Sequence, residues 1–326
     1  LTLANSVAKS INPVNSIDFL LEASAAMERH GHSTEDAPAP DDELILEDSD
    51  DEYVDQFLES QWQDGVEIGL VVSWPTMKHS LQLSTKLPQE SITPLFDGTG
   101  WAGTRVWKAA LMAIEYLEEH YLLDASSQRP RSLLELGCGL GVPSMICHSL
   151  QTQQQIEMSS DYKVVVTDQP SLVSQLQANL QTNFPDDDQI LARGLSWSRE
   201  GVLELLQQLK DKEGGISSSL ASSPYYPFDI CLNCDCIYEP LYGKDSWMAL
   251  ADVLQTIAEH SPHTIMITSV ERRNADGLES FFDRLHSCGF LDGSCTECVL
   301  RNDDDKHHIV EIYVTKSKWQ KGEQEV

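Results

Sequence analysis

Between Leu133 and Val142 the chain reads Leu-Leu-Glu-Leu-Gly-Cys-Gly-Leu-Gly-Val. An apolar run enters three glycines spaced two apart and leaves into a segment with helical apolar periodicity. That order predicts a strand, a tight turn and a helix. Glycine permits positive φ and lets a ligand approach the backbone where a Cβ would clash. In an open parallel sheet, ligands bind beyond the carboxyl ends of the strands, where strand order reverses. The spacing is G-x-G-x-G, not the G-x-G-x-x-G of a dinucleotide site, and no P-loop lysine follows. Glu135, two residues before the first glycine, would repel a pyrophosphate and suits an ammonium-bearing ligand. Glycines so placed also serve to tighten a strand–helix joint, and the motif by itself leaves both readings open.

The rest of the chain is consistent with such a sheet. Strand patterns at 132–136, 163–167, 190–193, 228–233 and 264–270 alternate with helical ones at 142–150, 171–182, 202–209, 247–260 and 278–287. Regular alternation implies an α/β fold, with a mostly parallel sheet and helices on both faces. Two late strands, 294–301 and 308–315, lack a helix between them and are joined by Asn302-Asp303-Asp304-Asp305, which predicts a closing antiparallel hairpin. Upstream, two short strands are expected at 66–72 and 79–83, a loop at Asp97, Gly98 and Gly100, and a helix over 104–120. The Gly- and Ser-rich stretch 211–224 reads as a loop insertion.

Charge narrows the function. With 22 Lys and Arg against 52 Asp and Glu among 326 residues, the net charge is −30. So acidic a chain has little from which to build a face for nucleic acid or an anionic membrane. The acidity is uneven: residues 1–60 carry 15 acidic and 2 basic side chains, net −13, and residues 61–326 carry −17. The first 55 residues, with Ala37-Pro38-Ala39-Pro40 ahead of an acidic run, are expected to be mostly disordered. A short amphipathic helix at 17–27 is the exception. The start has neither a basic n-region nor an uninterrupted apolar stretch, so no secretory signal is read there. Eight cysteines in 326 residues, several in apolar runs, fit a reducing intracellular setting, expected to be cytoplasmic or also nuclear.

A second motif sharpens the first. Val164-Val165-Val166-Thr167-Asp168 ends the next strand in an acid, which can accept both ribose hydroxyls of an adenosine-containing ligand. With Pro170 and Ser171 following, Asp168 also suits a helix cap. Glu135, Gly137, Gly139 and Gly141 with Asp168 resemble the S-adenosylmethionine site of seven-β-strand methyltransferases. More narrowly, the chain resembles the family 16 protein methyltransferases, mostly lysine-specific. Gly103-Thr104-Arg105-Val106-Trp107, Leu195-Ser196-Trp197, the strand 229–238 ending in Asp235-Cys236-Ile237-Tyr238, and 267–273 with Glu271-Arg272-Arg273 carry that narrower match. Ser198 stands where the family has glycine. The resemblance spans roughly residues 96–316.

The resemblance implies a Rossmann-like seven-stranded sheet. Charge and composition set apart an acidic, largely disordered N-terminal extension over 1–60; a strand segment packing on the core is expected over 61–100, the methyltransferase domain over 101–320 and a tail over 321–326. The resemblance also implies S-adenosylmethionine as cofactor, with Glu135 and Gly141 among the residues that bind it, Gly137, Cys138 and Gly139 at its methionine end, Asp168 on the ribose and Trp197 beside the adenine. Trp107 would close the pocket, and Cys234 would take a small-residue position at the cofactor. Asp235 and Tyr238 are the expected reaction centre. There a carboxylate recruits an ammonium and an aromatic wall holds it. The implied activity is protein-lysine methylation, on a lysine in a basic surface. Protein-histidine or small-molecule methylation, or a non-catalytic interaction module, are the alternatives. Cys231-x-x-Cys234 and Cys295-x-x-Cys298 have zinc-like spacing, but alternation sends the first pair to opposite faces of a strand, so no metal is expected. Glu271, Arg272 and Arg273 read as a surface ion-pair cluster in preference to a substrate rim.

Overall fold

The computed structural model describes residues 52–86, 103–122, 130–154, 163–213, 228–301 and 307–317. The expected helix at 17–27, the extension through residue 51, the loop at 97–100, positions 214–224 of the insertion, the turn at 302–305 and the tail all lie outside these residues. The chain divides into two compact units, and the larger, residues 50–62 and 67–326, carries the candidate site.

Seven strands form one sheet. They are β4 (Ser132–Leu136), β5 (Lys163–Asp168), β6 (Ile190–Gly194), β7 (Ile230–Cys234), β8 (Ile265–Glu271), β9 (Phe290–Arg301) and β10 (His307–Ser317). Their order is β6-β5-β4-β7-β8-β10-β9. Strands β6 to β8 are parallel, and β10 runs antiparallel to both β8 and β9. This is the expected mostly parallel seven-stranded sheet with its antiparallel hairpin. From β4 the chain steps outward to β5 and β6, then returns to lay β7 on β4's other side. The carboxyl end of β4 is therefore the point where strand order reverses, the usual place for a ligand in such a sheet.

The described helices of ten residues or more are α1 (Lys108–Leu117), α2 (Val142–Gln154), α3 (Val173–Asn183), α4 (Arg199–Glu213), α5 (Lys244–His260) and α6 (Leu278–Ser287). Strand alternation sorts them into two cores. Leu133, Val164, Val166, Ile230, Leu232 and Ile267 pack on one face with α1, α2 and α3. Leu134, Leu136, Val165, Cys231 and Met266 pack on the other with α4, α5 and α6. Both faces are covered, so these strands are apolar at consecutive positions rather than alternating with polar ones.

Several boundaries differ from those read in the sequence. Helix α1 starts at Lys108 because Trp107 is its extended N-cap, with φ −91° and ψ 150°, and a π-helical turn, Glu118–Leu122, ends it. Helix α4 begins in the polar segment Arg199-Glu200-Gly201, which apolar spacing cannot register. Strand β9 starts at Phe290, earlier than the predicted 294.

A second sheet, of order β1-β2-β3, comprises β1 (Leu58–Gln63), β2 (Val66–Val72) and β3 (Leu81–Ser84). Strand β1 was not expected and crosses the anticipated boundary at residue 60. Leu70, Val72, Leu81 and Leu83 join the first core. The far edge of β3 is met by side chains of α3. Asn183 accepts from Gln82 N at 2.7 Å and donates to Gln82 O at 2.8 Å. Asn179 accepts from Ser84 N at 2.8 Å and donates to Ser84 O at 3.3 Å. Four residues of helix advance about 6 Å and two of strand about 6.8 Å, so the amides match alternate strand residues.

Candidate active site

The turn after β4 is built by its glycines. Gly137, Gly139 and Gly141 have φ of 59°, 54° and 75°. A Cβ on Gly137 would lie 2.8 Å from Cys236 Sγ and 3.1 Å from Trp197 Cζ2. A Cβ on Gly139 would lie 3.0 Å from the Gly103 carbonyl oxygen. The turn is stitched to β5, where Cys138 N donates to Thr167 O at 3.0 Å.

Asp168, at the tip of β5, is 7% exposed. Its Oδ2 accepts from Gly139 N at 2.7 Å and its Oδ1 from Gln169 N at 2.6 Å. Burial pushes this carboxyl above the usual range, against the two backbone hydrogen bonds. A carboxylate offers about four acceptor sites, so about two remain for a pair of hydroxyls. Asp168 does not cap α3, whose N-cap is Leu172.

Glu135 lies beneath the turn, 1% exposed. Its Oε2 accepts from Ser144 N at 3.1 Å, so it caps the first turn of α2. Burial pushes its carboxyl up to about 7, with the Ser144 hydrogen bonds pulling the other way. Cys138, Cys234 and Cys236 are buried around it, and burial holds all three thiols well above the ordinary value, as uncharged walls. Trp197 is partly buried and packs on the second core.

A second cluster gathers at the carboxyl ends of β7 and β8. Asp235 directly follows β7, has φ 54° and is 4% exposed. Its backbone N–H donates to Ser269 O at 2.8 Å, which ties it to β8. Tyr238 is the N-cap of a single helical turn, Glu239–Tyr242. Between them stands Arg273. Its Nη1 donates to Asp235 Oδ1 at 2.9 Å and its Nη2 to Asp235 Oδ2 at 2.7 Å. Nη2 also donates to Glu271 Oε2 at 2.6 Å. The guanidinium carbon lies 5.1 Å from the Tyr238 ring centroid and 5.8 Å from that of Trp107. Glu271 further meets His308 Nδ1 at 2.6 Å and Lys108 Nζ at 3.8 Å.

The structure thus groups Gly137, Cys138, Gly139, Gly141, Asp168, Trp197 and Cys234 about the turn, with Glu135 below it. Asp235, Tyr238 and Trp107 share Arg273. Gly103, in the same segment as Trp107, lies against the glycine turn at Gly139. Of the expected surface ion-pair cluster only Arg272 is one, with Asp276, Glu279 and Glu311 at 3.4, 2.7 and 3.3 Å. Alternation along the β8 extension puts Glu271 and Arg273 on the inward side. Cys236 and Arg273 were missed as site residues. The signals were there, since both sit within the quoted motif segments. Cys231 and Cys234 fall in different cores, as alternation requires. Among the described residues no group of three His, Cys, Asp or Glu is arranged to hold a metal ion. No described helix is long and apolar enough to cross a membrane.

Comparison with known proteins bears on this arrangement. Residues 88–212 match the model of a family described as lysine methyltransferase. The chain is 32% identical over 149 residues to the secreted RxLR effector protein 48 of Plasmopara viticola, covering 43% of this chain and 64% of that protein. It therefore spans less than two thirds of that relative. It is 26% identical over 196 residues to EEF1A lysine methyltransferase 3 of Mus musculus, covering 60% of this chain and 67% of that protein. To the Xenopus tropicalis protein of that name it is 25% identical over 207 residues, covering 64% and 73%. These matches make residues 88–212 similar to the lysine methyltransferase family, over the part of the chain that carries the glycine turn and Asp168.

Proposed function

We propose that this chain transfers a methyl group from S-adenosylmethionine to a lysine side chain of a protein. The observation that carries the reading is Asp168: a buried carboxylate, fixed by Gly139 and Gln169, with acceptor sites spare beside a positive-φ glycine turn. Those spare sites suit the two ribose hydroxyls. When bound, the cofactor supplies a methyl group already activated on a sulfonium. The remaining work falls to the chain. Gly137, Cys138, Gly139 and Gly141 give a turn with little side chain in the way, beside Cys234. Trp197 offers an aromatic face to the adenine. Glu135 supplies a carboxylate for the cofactor's ammonium group. Asp235, Tyr238 and Trp107 form the end that receives the amine, holding it in line and keeping water out.

A protein substrate with a basic surface suits the net charge of −30, which would steer it at a rate that salt weakens. The same charge argues against nucleic acid and anionic membranes as partners. Eight free cysteines suit a reducing, cytoplasmic or nuclear setting. The test is incubation with tritiated S-adenosylmethionine and a cell extract. Label should enter a protein band at lysine, and Asp168→Ala should abolish it. Label confined to the small-molecule filtrate would refute a protein substrate. Label on histidine would refute lysine, and labelling undiminished in Asp168→Ala would refute the site.

A further inference from the structure

Every group that the lysine reading sets aside for an ammonium already holds a cation. Asp235 has both carboxylate oxygens on the Arg273 fork, at 2.9 and 2.7 Å, and Oδ1 also accepts from Glu271 N at 3.2 Å. The aromatic faces of Tyr238 and Trp107 lie 5.1 and 5.8 Å from the same guanidinium, within cation–π range. Glu271 clasps it from a third side at 2.6 Å. A planar fork on a carboxylate, backed by aromatic rings, is the arrangement arginine favours and lysine reproduces poorly. Burial alone would ease the proton off Arg273, but Asp235 and Glu271 more than offset it and hold the side chain charged. The Arg273 side chain is only 22% exposed, so this is a seated cation and not a passing surface pair.

We propose that Arg273 is the resident cation of the Asp235–Tyr238–Trp107 site and determines its specificity: the target amine is admitted uncharged, beside a fixed guanidinium, and not as an ammonium on Asp235. This rests on the methyltransferase reading above. A guanidinium has donors only, and the Asp235 and Glu271 oxygens are engaged by Arg273, His308 Nδ1 and Lys108 Nζ, so the site offers an incoming ammonium no unengaged carboxylate. The amine leaves its proton in bulk water before entry and arrives with its lone pair free. Asp235, spent on Arg273, is then a positioning residue and not the acceptor of that proton. The site would discriminate against arginine and quaternary ammonium groups, which cannot shed their charge by losing a proton near neutral pH.

The first test needs no turnover. Butyltrimethylammonium, a permanent cation, is titrated calorimetrically into the full chain and into Arg273→Gln. Vacating the site should raise affinity at least tenfold, and equal affinities would overturn the proposal. If Arg273→Gln does not fold, Asp235→Asn/Arg273→Met, which leaves no buried carboxylate unpaired, takes its place. Its bared aromatic walls should bind the probe more tightly than wild type, and no gain would again overturn the proposal. The second test is the acid limb of the kcat–pH profile at saturating substrate, which reports the amine in the bound complex. Arg273→Gln should move it at least one unit alkaline, while Arg273→Lys keeps the wild-type limb. A purely structural arginine would lower the rate at every pH and leave the limb in place, which would refute the proposal. Wild-type protein that labels no protein would sink the lysine reading, and the cation titration would still decide this one.

Discussion

Glu135 gives the most quantitative prediction. Its carboxyl is fully buried under the glycine turn and titrates at about 7 in the fold, against an ordinary 4.5. An acid raised in the folded state keeps its proton there while the unfolded chain has lost it. Stability therefore falls as pH rises through the window from 4.5 to 7. The full shift is worth about 3 kcal/mol, of which about 2 kcal/mol is lost between pH 5.5 and 8. Glu135→Gln keeps an acceptor for Ser144 N and removes the titration. In cofactor-free protein the two should differ little at pH 5.5, and the variant should be the more stable by a further ~2 kcal/mol at pH 8. That corresponds to several degrees in melting temperature for a domain of this size. The assay is thermal and urea denaturation across pH 5.5–8, followed by circular dichroism and tryptophan fluorescence. Parallel pH dependences in the two proteins would refute the reasoning. If S-adenosylmethionine sets its ammonium group near Glu135, the variant should also bind it more weakly.

Other consequences are simpler to read out. Gly139→Ala puts a side chain at φ 54° and a Cβ 3.0 Å from Gly103 O, which should cost about 1–3 kcal/mol in urea denaturation. Trp74→Phe keeps the stack on Phe57 at 4.6 Å but removes the indole donor 2.9 Å from Glu118 Oε2. Glu118 Oε1 already has no hydrogen-bond partner, so the loss should cost about 1–3 kcal/mol, and Trp74→Phe/Glu118→Met should recover part of it. Asn179→Ala with Asn183→Ala should speed hydrogen exchange at the Gln82 and Ser84 amides at least tenfold while leaving β4 to β8 protected.

The parallel sheet was legible because burial on both faces leaves its strands apolar throughout, and α6 was read at its true ends, Leu278–Ser287. Strand β1 was not legible. Its sequence, Leu-Glu-Ser-Gln-Trp-Gln, is half-buried only at Leu58 and Gln61 and leaves Trp62 64% exposed. No apolar alternation marks it, since pairing with β2 holds it rather than burial. The glycine turn and Asp168 could be placed from local pattern, because a strand tip fixes where its last residues point. The environment of Asp235 could not. Its partner is 38 residues away, just past the end of the next strand, and whether Arg273 faces inward depends on the register of β8, which spacing does not reveal.

The place of β10 in the sheet bears on how the domain is made. The chain's last described strand lies inside the sheet, bonded to β8 on one side and β9 on the other, while β9 forms the edge. During synthesis β8 emerges first and must keep one edge unpaired until 307–317 have left the ribosome. Strand β9, although made earlier, has no seat in the sheet before then. A chain stopped just short of residue 307 would lose the places of two strands, together with Val310, Ile312 and Val314 from the first core. The sheet from β6 to β8 can assemble before this strand arrives, and until 307–317 emerge the free edge of β8 is open to strand addition by another copy.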